Sequence, residues 1–257
     1  MKTTRNFLGP FIFAGILSSL CLCASAATFS LNPSADAFVT TGPSGNLTGN
    51  NYGGAGAMSV AAPNSAQGEF QSVLQFGLGG ARSSFDAQFG AGQWTIQSIT
   101  LQLTAAPPNN AIFSPSAAGH FTTSWMQNDG WNEGTGTPQT PTTSGITFST
   151  LSNFVSAADE SLGTFSFNGA TNGNSIYTLS LAPSFSADVL VGNTVSLRMF
   201  TADTAISYLS DSRNFNNAAA RPVLTITAVP EPGVFGLGLL FLCVAGRFRS
   251  TSRSGRR

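Results

Sequence analysis

Between Thr28 and Ala228, apolar and polar residues alternate in short runs, each bounded by Gly, Pro or Asn. The clearest run is SVLQFGL, which puts Leu74, Phe76 and Leu78 on one side. SITLQLT does the same with Ile99, Leu101 and Leu103, and NTVSLRMF with Val195, Leu197 and Met199. GTFSFNG, IYTLSLA and PVLTIT continue the pattern, the last aligning Leu224 with Ile226. Successive side chains of a strand point to opposite faces, so this alternation predicts half-buried antiparallel strands with one face on a core.

Helical spacing is nearly absent. APSFSADVLVG predicts one or two turns opened by Pro183 and ended by Gly192, carrying Phe185, Val189 and Leu190. About nine to eleven strands with turn-rich links and at most one short helix predict an all-β antiparallel β-sandwich, jelly-roll-like and without internal repeats. Two links are long: Gly42 to Ala57 (GPSGNLTGNNYGGAGA) and Asn128 to Gly145 (NDGWNEGTGTPQTPTTSG). Irregular segments of that length in a compact domain are usually functional or mobile, so a binding face is expected there.

The two ends are of a different kind. Residues 1–26 begin with Lys2 and Arg5, run apolar from Phe7 to Cys23, and finish with Ala24, Ser25 and Ala26. This order predicts a secretory signal helix cleaved after Ala26, leaving a body over 28–228. A lipid-accepting cysteine usually follows a small residue, whereas Cys21 and Cys23 follow leucines. Cleavage removes both, and Cys243 lies beyond the body, so a hydrophobic core rather than disulfides must hold the domain.

Residues 229–257 place Pro230, Glu231 and Pro232 before thirteen apolar residues, Val234 to Gly246, and then five arginines. As a helix the apolar run spans about 20 Å, short of the roughly 30 Å hydrocarbon core. It predicts a short transmembrane helix, a brief anchor whose arginines stay in the cytoplasm. A core helix is not expected to lead directly into arginines at the chain end.

Charged residues are only 9% of the chain, against roughly 25% in average soluble proteins. Between Thr28 and Val229 stand four arginines, ten acidic residues and no lysine. That balance excludes phosphate-backbone recognition, hence nucleic acid as a partner. Catalytic candidates are few. His120 is the only histidine, the body has no cysteine, and no Gly-x-Ser-x-Gly elbow occurs. Carboxylate pairs exist at Asp129 with Glu133 and at Asp159 with Glu160, which gives the alternative expectation of a polysaccharide lyase or hydrolase.

Calcium takes hard oxygen ligands, and Asp36, Asp129 and Glu133 are the first candidates, although no EF-hand spacing occurs. For sugar binding the candidates are the aromatic faces of Tyr52, Trp125 and Trp131 in or beside the long links, with Trp94 opening a strand. The competing expectation for each aromatic is a place in the core.

Several segments follow one another in the order of a known family. DAFVTTGPSGNLTGNNYGGAGAMSVAA, QSVLQFGL, SITLQLT, then Trp131, Glu133, Gly134, Thr135 and Gly136, then Ser212, Arg213, Arg221, Pro222 and Leu224 resemble the exported DNRLRE domains. The resemblance implies a fold similar to carbohydrate-binding modules. Asn214 departs from it, standing where the family usually has a glutamate that could pair with Arg213 or Arg221. Pro222 sits where a strand begins, a place that tolerates its missing N–H.

The ordered Pro-Glu-Pro, apolar and arginine segments resemble the PEP-CTERM sorting signal. That likeness implies recognition of Pro230, Glu231 and Pro232 by an exosortase, and products associated with extracellular polysaccharide. The expectation is an exported bacterial surface or matrix protein, non-catalytic, structural or adhesive, and polysaccharide-binding.

Overall fold

The computed structural model describes residues 25–231. The signal segment before Ser25, and Pro232 with the apolar and arginine-rich tail, lie outside the described residues. Within them are eleven strands: β1 Ala27–Leu31, β2 Ala35–Thr40, β3 Ala57–Ala61, β4 Phe70–Gly77, β5 Trp94–Thr104, β6 Gly119–Met126, β7 Glu160–Phe167, β8 Asn174–Leu179, β9 Thr194–Thr201, β10 Ser207–Asp211 and β11 Val223–Pro230. All strand pairs are antiparallel.

One sheet has the order β1-β11-β5-β8. The other runs β10-β3-β4-β9-β6-β7, and β2, off this path, also pairs with β4. Phe70 marks the fork, since it pairs with Thr40 of β2 on one side and Ala61 of β3 on the other. The main core fills the space between the sheets. Leu74, Phe76, Ile99, Leu101, Leu103, Val195, Leu197, Leu224 and Ile226 are wholly buried there, as their alternation predicts.

The expectation of at most one short helix is corrected. α1 (Gly79–Phe89) and α2 (Phe148–Leu151) accompany α3 (Pro183–Val191). Pro183 and the left-handed Gly192 bound α3 as the sequence predicts. α1 buries only Ala81 and Phe85, one turn apart, so it leaves almost no apolar periodicity in the sequence. Among the described residues no helix is long and apolar enough to cross a membrane.

A second departure concerns the half-buried strands. β4 is covered on both faces: Leu74 and Phe76 enter the main core, while Val73 enters a second cluster with Ala37, Val39, Met126, Trp131, Ile146 and Leu151. The segment following β6 lies over the outer face of this sheet and supplies Trp131, Ile146 and Leu151. A third cluster gathers Phe38, Tyr52, Phe70, Phe113 and Leu209.

Candidate functional site

The two long links do not stand apart; they are knotted together through Asn51. Its side chain is wholly buried, and Nδ2 donates to the carbonyls of Glu133 (2.7 Å) and Ile146 (2.8 Å). Its Oδ1 accepts from the N–H groups of Gly53 (3.2 Å) and Gly136 (3.1 Å). A buried carboxamide with both ends satisfied fixes four backbone groups at once. The glycines of NYGG and EGTG make the approach possible. A Cβ on Gly136 would lie 1.9 Å from the Asn51 carbonyl oxygen, and Gly134 takes a left-handed φ of 74° against the Asn51 side chain.

Beside this knot lies an ionic cluster. Arg213 Nη1 meets Glu133 at 3.0 and 3.2 Å, and Asn214 Nδ2 donates to the same carboxylate at 3.0 Å and to the Gly53 carbonyl at 2.8 Å. The N–H of Asp36 donates to Glu133 Oε1, while Asp36 Oδ2 accepts from the Arg213 N–H at 2.7 Å. Asn214 therefore donates to a carboxylate where a glutamate would repel one. Arg221 takes a different partner, donating from Nε to the Phe215 carbonyl at 3.0 Å. Ser212 Oγ accepts from the Asn214 N–H, and the Pro222 carbonyl just before β11 accepts from Asn32 Nδ2. Burial pushes the Asp36 carboxyl up to about 7, against the lowering hydrogen bond from Arg213.

Of the three calcium candidates, Asp36 and Glu133 thus meet, but on an arginine. Asp129 takes other neighbours: its carbonyl accepts from Gln75 Nε2, and Oδ1 is buried with no hydrogen-bond partner among the described residues. Burial, and then the charge of Asp188, push the Asp129 carboxyl up against a lowering bond from Ser196. No group of three or more His, Cys, Asp or Glu suited to a metal ion occurs among the described residues.

The aromatic candidates take places in the packing, the competing expectation for each. Tyr52, Trp125 and Trp131 are only 1, 5 and 4% exposed. Tyr52 stacks on Phe38 with centroids 4.7 Å apart, and its hydroxyl accepts from Asn50. Trp131 donates from Nε1 to Ser196 Oγ at 2.9 Å, and Trp125 belongs to the main core. Trp94 is buried beside Phe85, with Nε1 on Asp86. Large rings next to long loops hold those loops down, which supplies apolar area no alternating strand provides.

The remaining titratable candidates also serve the backbone. Glu160 accepts from the Ser184 and Phe185 N–H groups at the start of α3, and Asp159 accepts from Gln127 and Ser156. His120 Nδ1 lies 2.9 Å from Asp203 Oδ2 on the surface. Asp203 is held down to about 2, because bonds from Ala205, His120 and Ile206 outweigh desolvation.

A hollow of about 250 Å³ opens between these loops. Its walls come from Ala55–Ala57, the turn after β5, Pro138 and Gln139 of the second long link, and Asp211 with Asn214–Asn216. Asp211 ends β10 opposite Ala57. The sequence reading missed this hollow, since a lone aspartate among Asn-rich turns carries no spacing signal. At the other end of the body, Pro230 closes β11 opposite Trp94, and the Glu231 N–H donates to the Gln93 carbonyl at 2.9 Å. No family model matches the chain, and no curated protein matches it.

Proposed function

We propose that the chain is an exported bacterial cell-surface or extracellular-matrix protein, with a structural or adhesive, non-catalytic body that contacts extracellular polysaccharide. One observation carries the export reading. The first strand begins at Ala27, directly after the predicted signal cleavage, and the last ends at Pro230, the first residue of the Pro-Glu-Pro motif. These two strands pair along Ala27↔Ala228 to Leu31↔Leu224, so the body closes on itself next to both predicted processing points. The predicted signal segment and the predicted short apolar anchor, both outside the described residues, complete this reading, with an exosortase and the secretion machinery as partners and the membrane engaged transiently.

A non-catalytic body is favoured because Glu133, the carboxylate a lyase or hydrolase would need beside Asp129, is held by Arg213, Asn214 and the Asp36 N–H. The test is expression of the full-length chain in bacteria with and without an exosortase, with mass determination of both termini. The expected product starts at Ala27 and loses its tail only with the exosortase and an intact Pro-Glu-Pro motif. Recovery of an unprocessed cytoplasmic chain would overturn the reading, and release of reducing ends from a polysaccharide, lost in Asp129→Asn, would establish the enzyme instead.

A further inference from the structure

We propose that the hollow floored by Asp211 and rimmed by Asn109, Asn110, Gln139, Phe215 and Asn216 binds a sugar ring of an uncharged polysaccharide. This rests on the polysaccharide contact inferred above and gives it a place and a chemical class.

The lining has the mixed character that such a ligand needs. Asp211 is 7% exposed, yet among the described residues it has neither an ion-pair partner nor a hydrogen-bond donor. Burial alone raises its carboxyl to about 6. A carboxylate in that state has its lone pairs free, and two neighbouring hydroxyls satisfy both oxygens. Asn109, Gln139 and Asn216 are exposed at the rim, and Asn110 keeps its Nδ2 while Oδ1 accepts from the Ile112 N–H. Carboxamides both donate and accept, matching hydroxyls that do the same. Phe215 is half-buried and lines the hollow together with the buried Phe113 and Leu209, which offers apolar surface to the C–H face of a ring.

Charge narrows the class. No lysine or arginine lines the hollow, so a uronate or sulfate would meet Asp211 with no counter-charge. Size narrows it further: about 250 Å³ is below the roughly 300–1,000 Å³ of pockets for drug-sized ligands, which suits one ring of a longer chain. The walls are held in place, since the Gly54 N–H donates to the Gly136 carbonyl at 2.8 Å and Asn214 ties the turn to Gly53. Little ordering then remains for binding to oppose.

The experiment titrates the full-length chain, in a detergent without sugar groups, with neutral gluco-, manno- and galacto-oligosaccharides and with an oligo-uronate, each with and without EDTA. Binding is read by calorimetry. At least one neutral oligosaccharide should bind, unaffected by EDTA, and Asp211→Asn should weaken it by roughly tenfold or more. Phe215→Ala and Asn216→Ala, at the rim, should also weaken it, while Gln102→Ala on the far sheet should not. Uronate binding as tight as neutral binding, or loss of binding in EDTA, overturns the proposal. Neutral binding untouched in all three hollow variants overturns the hollow but leaves polysaccharide contact elsewhere. Absence of all binding overturns both, leaving export and sorting to be judged by the processed termini.

Discussion

The guanidinium of Arg213 meets both carboxylate oxygens of Glu133, at 3.0 and 3.2 Å, across 80 residues of chain. Glu133 is 18% exposed and Arg213 31%, so the pair is partly shielded from water and tied into the backbone by Asp36 and Asn214. Removing one partner leaves the other charge poorly solvated. Arg213→Ala should therefore lower unfolding free energy by about 1–3 kcal/mol, less than a fully buried pair would lose. Equilibrium urea denaturation measures this. Arg213→Lys should recover much of it, because the contacts to both Glu133 oxygens and to Asn214 all come from the single nitrogen Nη1, a place that an ammonium with three donors can fill.

Asn51→Asp tests the knot with one atom changed. The Nδ2 donors to Glu133 and Ile146 become an acceptor facing two carbonyls, in a site without exposure. A loss of about 2–4 kcal/mol is expected at neutral pH, read from the urea midpoint. A loss near zero would mean that the two long links do not depend on this residue.

Glycine substitutions separate close approach from chain flexibility. Gly136→Ala places a methyl group 1.9 Å from a backbone oxygen, and the loops must part to admit it. Gly77→Ala in β4 meets nothing within 4 Å and has an ordinary φ. Thermal unfolding should drop markedly for the first, by more than about 2 kcal/mol, and change by less than about 0.5 kcal/mol for the second.

Asp36 should make the protein more stable in mild acid than at neutral pH. Its folded carboxyl is raised from 3.8 to about 7, so the folded state binds the proton more tightly than the unfolded one. The contribution is complete below the unfolded value and is lost as pH rises through about 7, by at most roughly 4 kcal/mol. Asp211, raised to about 6 by burial, acts in the same direction. Asp203, lowered to about 2, acts oppositely and matters only as pH falls towards that value. Denaturation profiles from about pH 4 to pH 8 should slope downward in the native protein and flatten in Asp36→Asn. An unchanged slope would assign the effect elsewhere.

The strands were legible because alternation is local. Leu74, Phe76 and Leu78 point one way whatever lies opposite them, and all three are wholly buried. α1 was not legible, since only Ala81 and Phe85 are buried in eleven residues. The candidate site was half legible. NYGG and WNEGTG stood out as unusual, but they suggested exposed binding loops, whereas Trp131 and Tyr52 draw them onto the sheet. Glu133 suggested a ligand or a base, and its partner Arg213 stood near the other end of the body.

By itself, the sequence determined the β-sandwich class, the apolar face of each major strand and the limits of α3. These follow from side-chain periodicity and from proline and glycine backbone preferences. Only the tertiary structure decided which long link folds against which, that Asn51 is their common anchor, and that, among the described residues, Asp211 lies unpaired beside a hollow while Glu133 does not. Such pairings depend on strand order and register, which bring residues distant in the chain within 3 Å of each other, as Arg213 and Glu133 are. No local pattern in either segment carries that information.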